Sequence, residues 1–487
     1  MVPGRDVSSR LRPALRRRLG VDPRALAAFR MAVGCLLLVD LLLRTRHLRA
    51  FYTDAGVLSR SAAAKLYPTL APLSLHSLSG AAWVQATLFA VAAVFAALLV
   101  VGYRTRVVAA VSAVLLASLQ FRNYVVLNGG DTVLLVGLFL GLFLPLDERW
   151  SVDALAVDRD GGRRRRVAGF ASAALLSQIV LVYATNAVFK LRSDVWTEGV
   201  AVRYVFHVDR FTVRLGDLLA ELTPLLVAVN WTWLAMLAAS PLLVLATGRA
   251  RTALVAAFAG AHAGMWLTMD LGLFPHAMVA VLLVFLPPPV WDRLEAGLAP
   301  LSEMLARAAC PPLVHSGPLV PRRIRSAVGR ITPAVTAMVL VTGLLWQAVA
   351  VGYVSAPSET PVDPAEHSWK LFAPNPPTTD GYFVVRGTLS SGETVDLYPH
   401  ADTVSGPPPD TAETYPTARW RKYLSEARHD EVVRRQFADY LCRRGTDRHE
   451  AAVEDLTMTY VRESVRLDGP NRHERVELGR YDCSVGA

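Results

Sequence analysis

A lysine at the end of an apolar run is the residue in this sequence best placed to do chemistry. Tyr183, Asn186 and Lys190 are spaced i, i+3 and i+7, which puts all three on one face of a helix. Desolvation favours the neutral form of an amine, and a neutral amine is a general base. His262 adds an imidazole in a later apolar run. Asn128, Asp131 and His276 are polar groups near the neighbouring helix ends. Ionisable groups inside apolar segments cost free energy and mark functional sites by default. Each also has a plainer role. Lys190 suits a lysine that snorkels to the headgroups, His262 an interhelical hydrogen bond, and Asp131 an N-terminal cap. Arg30 and Asp40 share the first run but sit about 15 Å apart along a helix rising ~1.5 Å per residue. They cannot pair with each other, so each needs another partner and suits a structural role.

The elements that must carry these residues are membrane helices. The chain has 487 residues, 53% of them hydrophobic, and a mean hydropathy of +0.33. Soluble domains rarely reach that average. Apolar stretches recur at 25–43, 83–101, 107–126, 132–146, 167–189, 225–246, 252–269, 271–287 and 334–354. The expected fold is an all-α polytopic membrane bundle of about nine transmembrane helices, followed by a small α+β extracytoplasmic domain. Its parts are a basic cytoplasmic N-terminus (1–24), a transmembrane domain (25–290), a cytoplasmic loop with an interfacial helix (291–333), a last transmembrane helix (334–354) and the C-terminal domain (361–487).

Charge sets the orientation. The net charge is +10 and the pI about 9.6, a balance also found in nucleic-acid-binding proteins. Residues 361–487, however, hold 16 Lys and Arg against 21 Asp and Glu. The basic excess therefore sits in short loops between apolar runs, where it sets topology, and no nucleic-acid partner is needed. With the N-terminus inside, the inner loops carry 23 Lys and Arg and the outer loops 10. The run Arg163–Arg166 is the strongest anchor. An odd number of spans then puts the C-terminal domain outside the cell membrane. There Cys442 and Cys483 are free to form a disulfide or to remain two thiols. No Cys or His spacing suggests a metal site.

In the C-terminal domain, runs 382–385 and 394–398 flank a turn at Ser390–Gly392 and read as a hairpin. Residues 416–444 read as one or two helices, 458–466 and 475–481 as strands, and Ser405–Pro409 as a loop. Trp369–Pro376 opens the domain with aromatics and prolines. It suits a docking element against the membrane domain or a packed domain entry.

Several motifs together resemble one family. Phe51–Arg60 looks like a signature of the HTTM (horizontally transferred transmembrane domain) proteins, a superfamily that includes the vitamin K-dependent gamma-carboxylases. Asn128 through Trp150–Asp153 is similar to a carboxylase segment, as are Tyr183 through Leu191 with Trp196, Glu198 and Gly199, and His262 with Leu271–Phe274. The resemblance covers roughly 20–290. It implies that Lys190 deprotonates a vitamin K-type membrane quinol and that His262 assists. An exported peptide is the implied substrate. Asn128, Asp131, Tyr183, Asn186 and His276, which the orientation brings toward the outer face near His262 in depth, are the expected cofactor contacts. Gly130 stands where the animal carboxylases have a histidine, with Asp131 beside it. Microbial members resemble proteins that mature an exported peptide toxin, and Trp369–Pro376 resembles a soluble partner in such systems, here fused.

Two functions of different class follow. One is a carboxylase-like enzyme in the bilayer that uses a quinol and no metal. The other is a non-enzymatic membrane protein (immunity factor, export helper or receptor) whose polar groups hold helices together. A secondary transporter ranks below both, because no inverted repeat or pair of broken helices is visible.

Overall fold

The computed structural model describes residues 7–155, 166–308, 322–355, 362–398, 410–449 and 451–484. Arg163–Arg165, Cys310 and the loop 405–409 lie outside the described residues. The membrane domain is built from α1 (Pro23–Thr45), α2 (Ala82–Val101), α3 (Thr105–Arg122), α4 (Gly129–Gly141) and α5 (Phe170–Leu191). It continues through α6 (Gly216–Ala220), α7 (Thr223–Ala238), α8 (Leu242–Leu245), α9 (Gly248–Thr268), α10 (Phe274–Leu282), α11 (Pro288–Ala308) and α12 (Arg322–Ala350).

Local sequence explains where several of these start. Asp22 caps α1 by accepting from Arg24 N at 2.9 Å, with Pro23 as first helical residue. Asn128 and Asp131 form a reciprocal capping box on α4: Gly130 N donates to Asn128 Oδ1 and Asn128 N to Asp131 Oδ2, each at 2.8 Å. Arg30 donates to the carbonyl of Val100 in the last turn of α2 at 3.4 Å and to those of Leu146, at 3.1 Å, and Trp150 in the turns after α4. A cation suits the C-terminal end of α2.

The expected count of nine spans is coarser than the structure. Each expected stretch contains a helix, though several, 132–146, 225–246 and 334–354 among them, are helical only in part. Among the described residues only α1, α2, α3, α5 and the 326–350 part of α12 are long and apolar enough to cross alone. A sixth crossing is available if α10 and α11, bent by 104° at Leu286–Pro287, are one broken span. α4 and α7 are shorter apolar helices. Helix placement follows packing. α2 has a mean hydropathy of 2.5 with 22% of its apolar window buried, so it faces lipid; α5 has 1.5 with 61% buried, so it is central.

The C-terminal residues form an antiparallel sheet of β1 (Thr379–Leu389), β2 (Thr394–Asp396), β3 (Val453–Ser464) and β4 (Arg472–Asp482), ordered β2-β1-β3-β4. Two helices, α13 (Ala418–His429) and α14 (Glu431–His449), lie between β2 and β3 in the chain. A Cys442–Cys483 disulfide ties α14 to the end of β4.

This is not a free-standing tail. Its core is continuous with the loop after α1: Phe51 packs on Trp420 at 4.8 Å, and Tyr423 Oη donates to Val57 O at 2.7 Å. Gln436 Oε1 accepts from Ser59 N at 3.1 Å. The Phe51–Arg60 motif therefore serves as a platform for α13 and α14.

Two polar seams reinforce the junction. In the first, Arg419 of α13 enters the membrane domain and pairs with Asp40 at 2.6 Å and Asp131 at 2.9 Å. Arg44 pairs with the same two carboxylates at 2.7 and 2.5 Å. Two acids and two arginines thus neutralise each other in a buried site. In the second, Asp380 on β1 accepts from Arg210 N at 3.0 Å and Thr411 Oγ1 at 2.8 Å. Half-buried Asp209 beside it is pushed up from an ordinary 3.8 to about 7, first by burial and then by the neighbouring Asp380, Asp410, Glu463 and Asp217.

Each seam has a measurable consequence. Arg419→Ala leaves two buried carboxylates on one guanidinium and should cost about 3–5 kcal/mol in detergent-solubilised unfolding; a loss below ~1 kcal/mol, the scale of an exposed pair, would show that the quartet is solvated. Asp209 stays protonated in the fold at pH values where the unfolded chain has already released its proton. Its contribution to stability therefore falls as pH rises from about 4 to about 7. Asp209→Asn should flatten that fall in melting temperature, and an unchanged slope would contradict the seam.

Candidate functional site

A cavity of about 1280 Å³ opens between α5, α7, α9, the start of α4 and the C-terminal helix α13. Its inner walls are aromatic and aliphatic, with Trp233, Phe274, Met236 and Leu237 among them. Asn128, Tyr183, Asn186, Lys190 and His262 bring polar atoms to it, and Arg210, Arg421, Lys422 and Arg428 line the end toward the C-terminal sheet. Apolar walls with a few convergent polar groups are the usual form of a small-molecule site.

α5 supplies three of these groups, because positions 183, 186 and 190 share its buried face. Tyr183 Oη lies 2.9 Å from His262 Nε2. The imidazole sits edge-on to Phe274 and Trp233, with centroids 5.7 and 5.9 Å away. Its Nδ1 is buried and has no hydrogen-bond partner among the described residues. If the tyrosine donates to Nε2, Nδ1 carries the spare proton; if it accepts, Nδ1 carries a lone pair. Either way one hydrogen-bonding position of the imidazole is unused among the described residues.

Lys190 is 1% exposed. Its Nζ donates to Leu371 O at 3.0 Å and Phe372 O at 3.4 Å, and lies 3.4 Å from the centroid of the Trp196 ring. Asn186 Nδ2 donates to Lys370 O at 2.7 Å and has the carbonyls of Leu371 and Trp369 at 3.2 and 3.3 Å. Trp196 Nε1 donates to Phe372 O at 3.1 Å, and Ser193 Oγ to Asn375 Oδ1 at 2.8 Å. The segment entering the C-terminal domain is thus strapped across the end of α5 by its own backbone. Leu371 and Phe372 hold φ of 25° and 61°, unfavourable for side chains with a Cβ. The four donors from α5 and its following turn hold that conformation in place.

The amine has two ways to satisfy itself here. An ammonium spends its three hydrogens on two carbonyls and an indole face. A neutral amine spends two on the carbonyls and keeps a lone pair. The site therefore supports both ends of a proton transfer at Nζ.

Two residues expected at the site lie elsewhere. Asp131 points away from the cavity because its carboxylate completes the capping box and the ion quartet with Arg44 and Arg419. His276 is half-buried on the far side of α10, edge-on to Trp266 at 5.5 Å, because the opposite face of that helix packs Ala277 and Met278 into the core. Gly130 leaves no room for a side chain: a Cβ would come within 2.7 Å of Phe274 N. Residue types and spacing do not single out the strap's backbone carbonyls or Arg421, which donates to Arg210 O at 2.7 Å and Asp270 Oδ2 at 3.1 Å. The basic cluster Arg419, Arg421 and Lys422 around Trp420 was the available signal. Among the described residues no group of three or more His, Cys, Asp or Glu is placed to hold a metal ion.

Residues 19–291 match the family model described as the HTTM domain. Comparison with curated proteins and with solved structures gave no match. The matched span covers more than half of the chain and contains every helix that lines the membrane part of the cavity. The chain belongs to the HTTM family, whose general context is the vitamin K-dependent gamma-carboxylase-like superfamily.

Proposed function

We propose that this is a carboxylase-like membrane enzyme that takes a lipid quinol into the cavity beside Lys190 and acts on an exported peptide at the basic end. The observation that carries the reading is the convergence of Lys190, Asn186, Asn128 and the Tyr183–His262 pair on one apolar cavity. Trp233, Phe274 and His262 line the cavity and give a flat aromatic head apolar rings to pack on, and the unpartnered His262 Nδ1 is the candidate hydrogen-bonding partner for its oxygen once the ring turns toward it. A bound quinol would supply an acidic hydroxyl and two reducing equivalents. His262 would orient the hydroxyl at one end of the head. A neutral Lys190, about two helical turns from Tyr183 on α5, would take the proton of the hydroxyl at the other end, and the ammonium so formed would be stabilised by the Leu371 and Phe372 carbonyls and the Trp196 ring. Lys422 and Arg428, with Glu426 beside them and Arg421 paired to Asp270, leave the outer end with a net positive lining suited to an acidic peptide.

The loop charges support an N-terminus inside and the C-terminal domain outside. The Cys442–Cys483 disulfide suits that oxidising side.

One observation favours a non-enzymatic reading: the donors of Lys190 and Asn186 are already spent on the strap. In that reading they are glue between the two parts of the chain. Naphthoquinol binding, read by quenching of Trp196 and Trp233, separates the two. His262→Ala should weaken binding about tenfold, the loss of one good hydrogen bond. Lys190→Met should bind within about threefold yet lose protein-dependent consumption of the quinol under oxygen. Unchanged consumption would favour the glue reading, and a wild type that binds no quinol would contradict the enzyme.

A further inference from the structure

We propose that the gap between α7 and α9 is the channel through which the hydrocarbon tail of a bilayer ligand leaves the cavity, the polar head remaining inside. The inference rests on the reading of the cavity as a quinol site.

The two helices are tied at both ends. At one end α6 packs on both of them, with Val213 N donating to Thr268 O at 3.0 Å and Leu215 N to Leu267 O at 3.2 Å. At the other end α8 packs on α9, and Arg251 donates to Val244 O at 2.7 Å and Ala246 O at 2.9 Å. Between the ties, Trp233 reaches α9 on the inner side, against Phe258 and His262. Toward the lipid side no hydrogen bond among the described residues joins α7 to α9.

The residues edging this gap are small or apolar. Ala228 and Thr232 on α7 and Ala257 and Gly264 on α9 all line the cavity. Leu225 and Val229 line it too, and are 42% and 41% exposed. A Cβ added at Gly264, or at Gly260 one turn away, would meet no atom within 4 Å. On each helix the cavity-lining face adjoins the outward apolar face, which carries Trp231 on α7 and Leu267 on α9. The cavity wall here opens onto the surface that meets acyl chains.

The polar end lies inward from this opening. His262 is 1% exposed with an unpartnered Nδ1, and Lys190 lies beyond it beside Trp196. A ligand whose head reaches His262 therefore has its other end in the gap. The chemistry that fits is a small aromatic head on a prenyl or acyl tail. A tail lying between α7 and α9 stays among apolar groups throughout and never crosses the charged end at Arg421.

The test uses two naphthoquinones, menadione without a tail and a menaquinone with a prenyl tail, on full-length protein in nanodiscs. Thr232→Trp and Gly264→Trp close the gap from opposite sides, so either variant suffices if the other fails to fold. The wild type should bind the tailed quinone more tightly than menadione. Each folded variant should lose about tenfold or more in affinity for the tailed quinone and stay within about threefold for menadione. Unchanged binding of the tailed quinone overturns the proposal, and so does equal loss of both probes. A wild type that binds menadione as tightly as the tailed quinone also overturns it. Failure of the wild type to bind either probe is a different result: it contradicts the quinol reading itself.

Discussion

A buried lysine amine must find oxygen, and that requirement organises much of this molecule. Lys190 sits at the end of an apolar helix where water is scarce, and unsatisfied donors cost several kcal/mol in such a setting (~1–3 in protein mutational data). Its partners are the carbonyls of Leu371 and Phe372, about 180 residues later in the chain (|i−j| of 181 and 182). Asn186 and Trp196 impose the same demand on the same strap. The entry to the C-terminal domain is therefore fixed by the membrane helix that carries the candidate base. Neither part is complete alone.

The ion quartet repeats the logic in charge. Asp40 and Arg44 lie one turn apart on α1 and Asp131 opens α4. These three alone would leave a net negative site buried. Arg419 of α13 brings the neutralising charge. Buried charge without a partner is strongly unfavourable, so the position of α13 is set electrostatically as well as by the aromatic packing of Phe51 on Trp420. That helix in turn forms the outer wall of the cavity through Arg421 and Lys422. The shape of the site thus depends on pairings made outside it.

Local periodicity made part of this legible in the sequence. Helical spacing alone puts Tyr183, Asn186 and Lys190 on one face, and Asp131 at a helix start reads as part of a cap. Trp369–Pro376, with its aromatics and prolines, reads as an entry or docking element, and it packs against the end of α5. What periodicity cannot carry is which faces meet. The Tyr183–His262 hydrogen bond joins helices 79 residues apart, and Arg419 meets Asp131 across 288. Asp131 and His276 were expected at the cavity because their depth along the chain is right. Depth does not give rotation about the helix axis, and rotation turns both of them away. Hydropathy likewise does not show where a helix stops: α4 and α7 are apolar but end at Gly141 and Ala238, inside longer apolar stretches.

The central claim is that the strap and the membrane helix form one unit around Lys190. Ser193 and Asn375 meet at 2.8 Å across that junction. The most direct measurement is cross-linking of a Ser193→Cys, Asn375→Cys protein in intact membranes, detected after proteolysis between the two positions. The account predicts efficient formation of the new disulfide alongside Cys442–Cys483. Absence of the cross-link in a protein that still forms Cys442–Cys483 would contradict it.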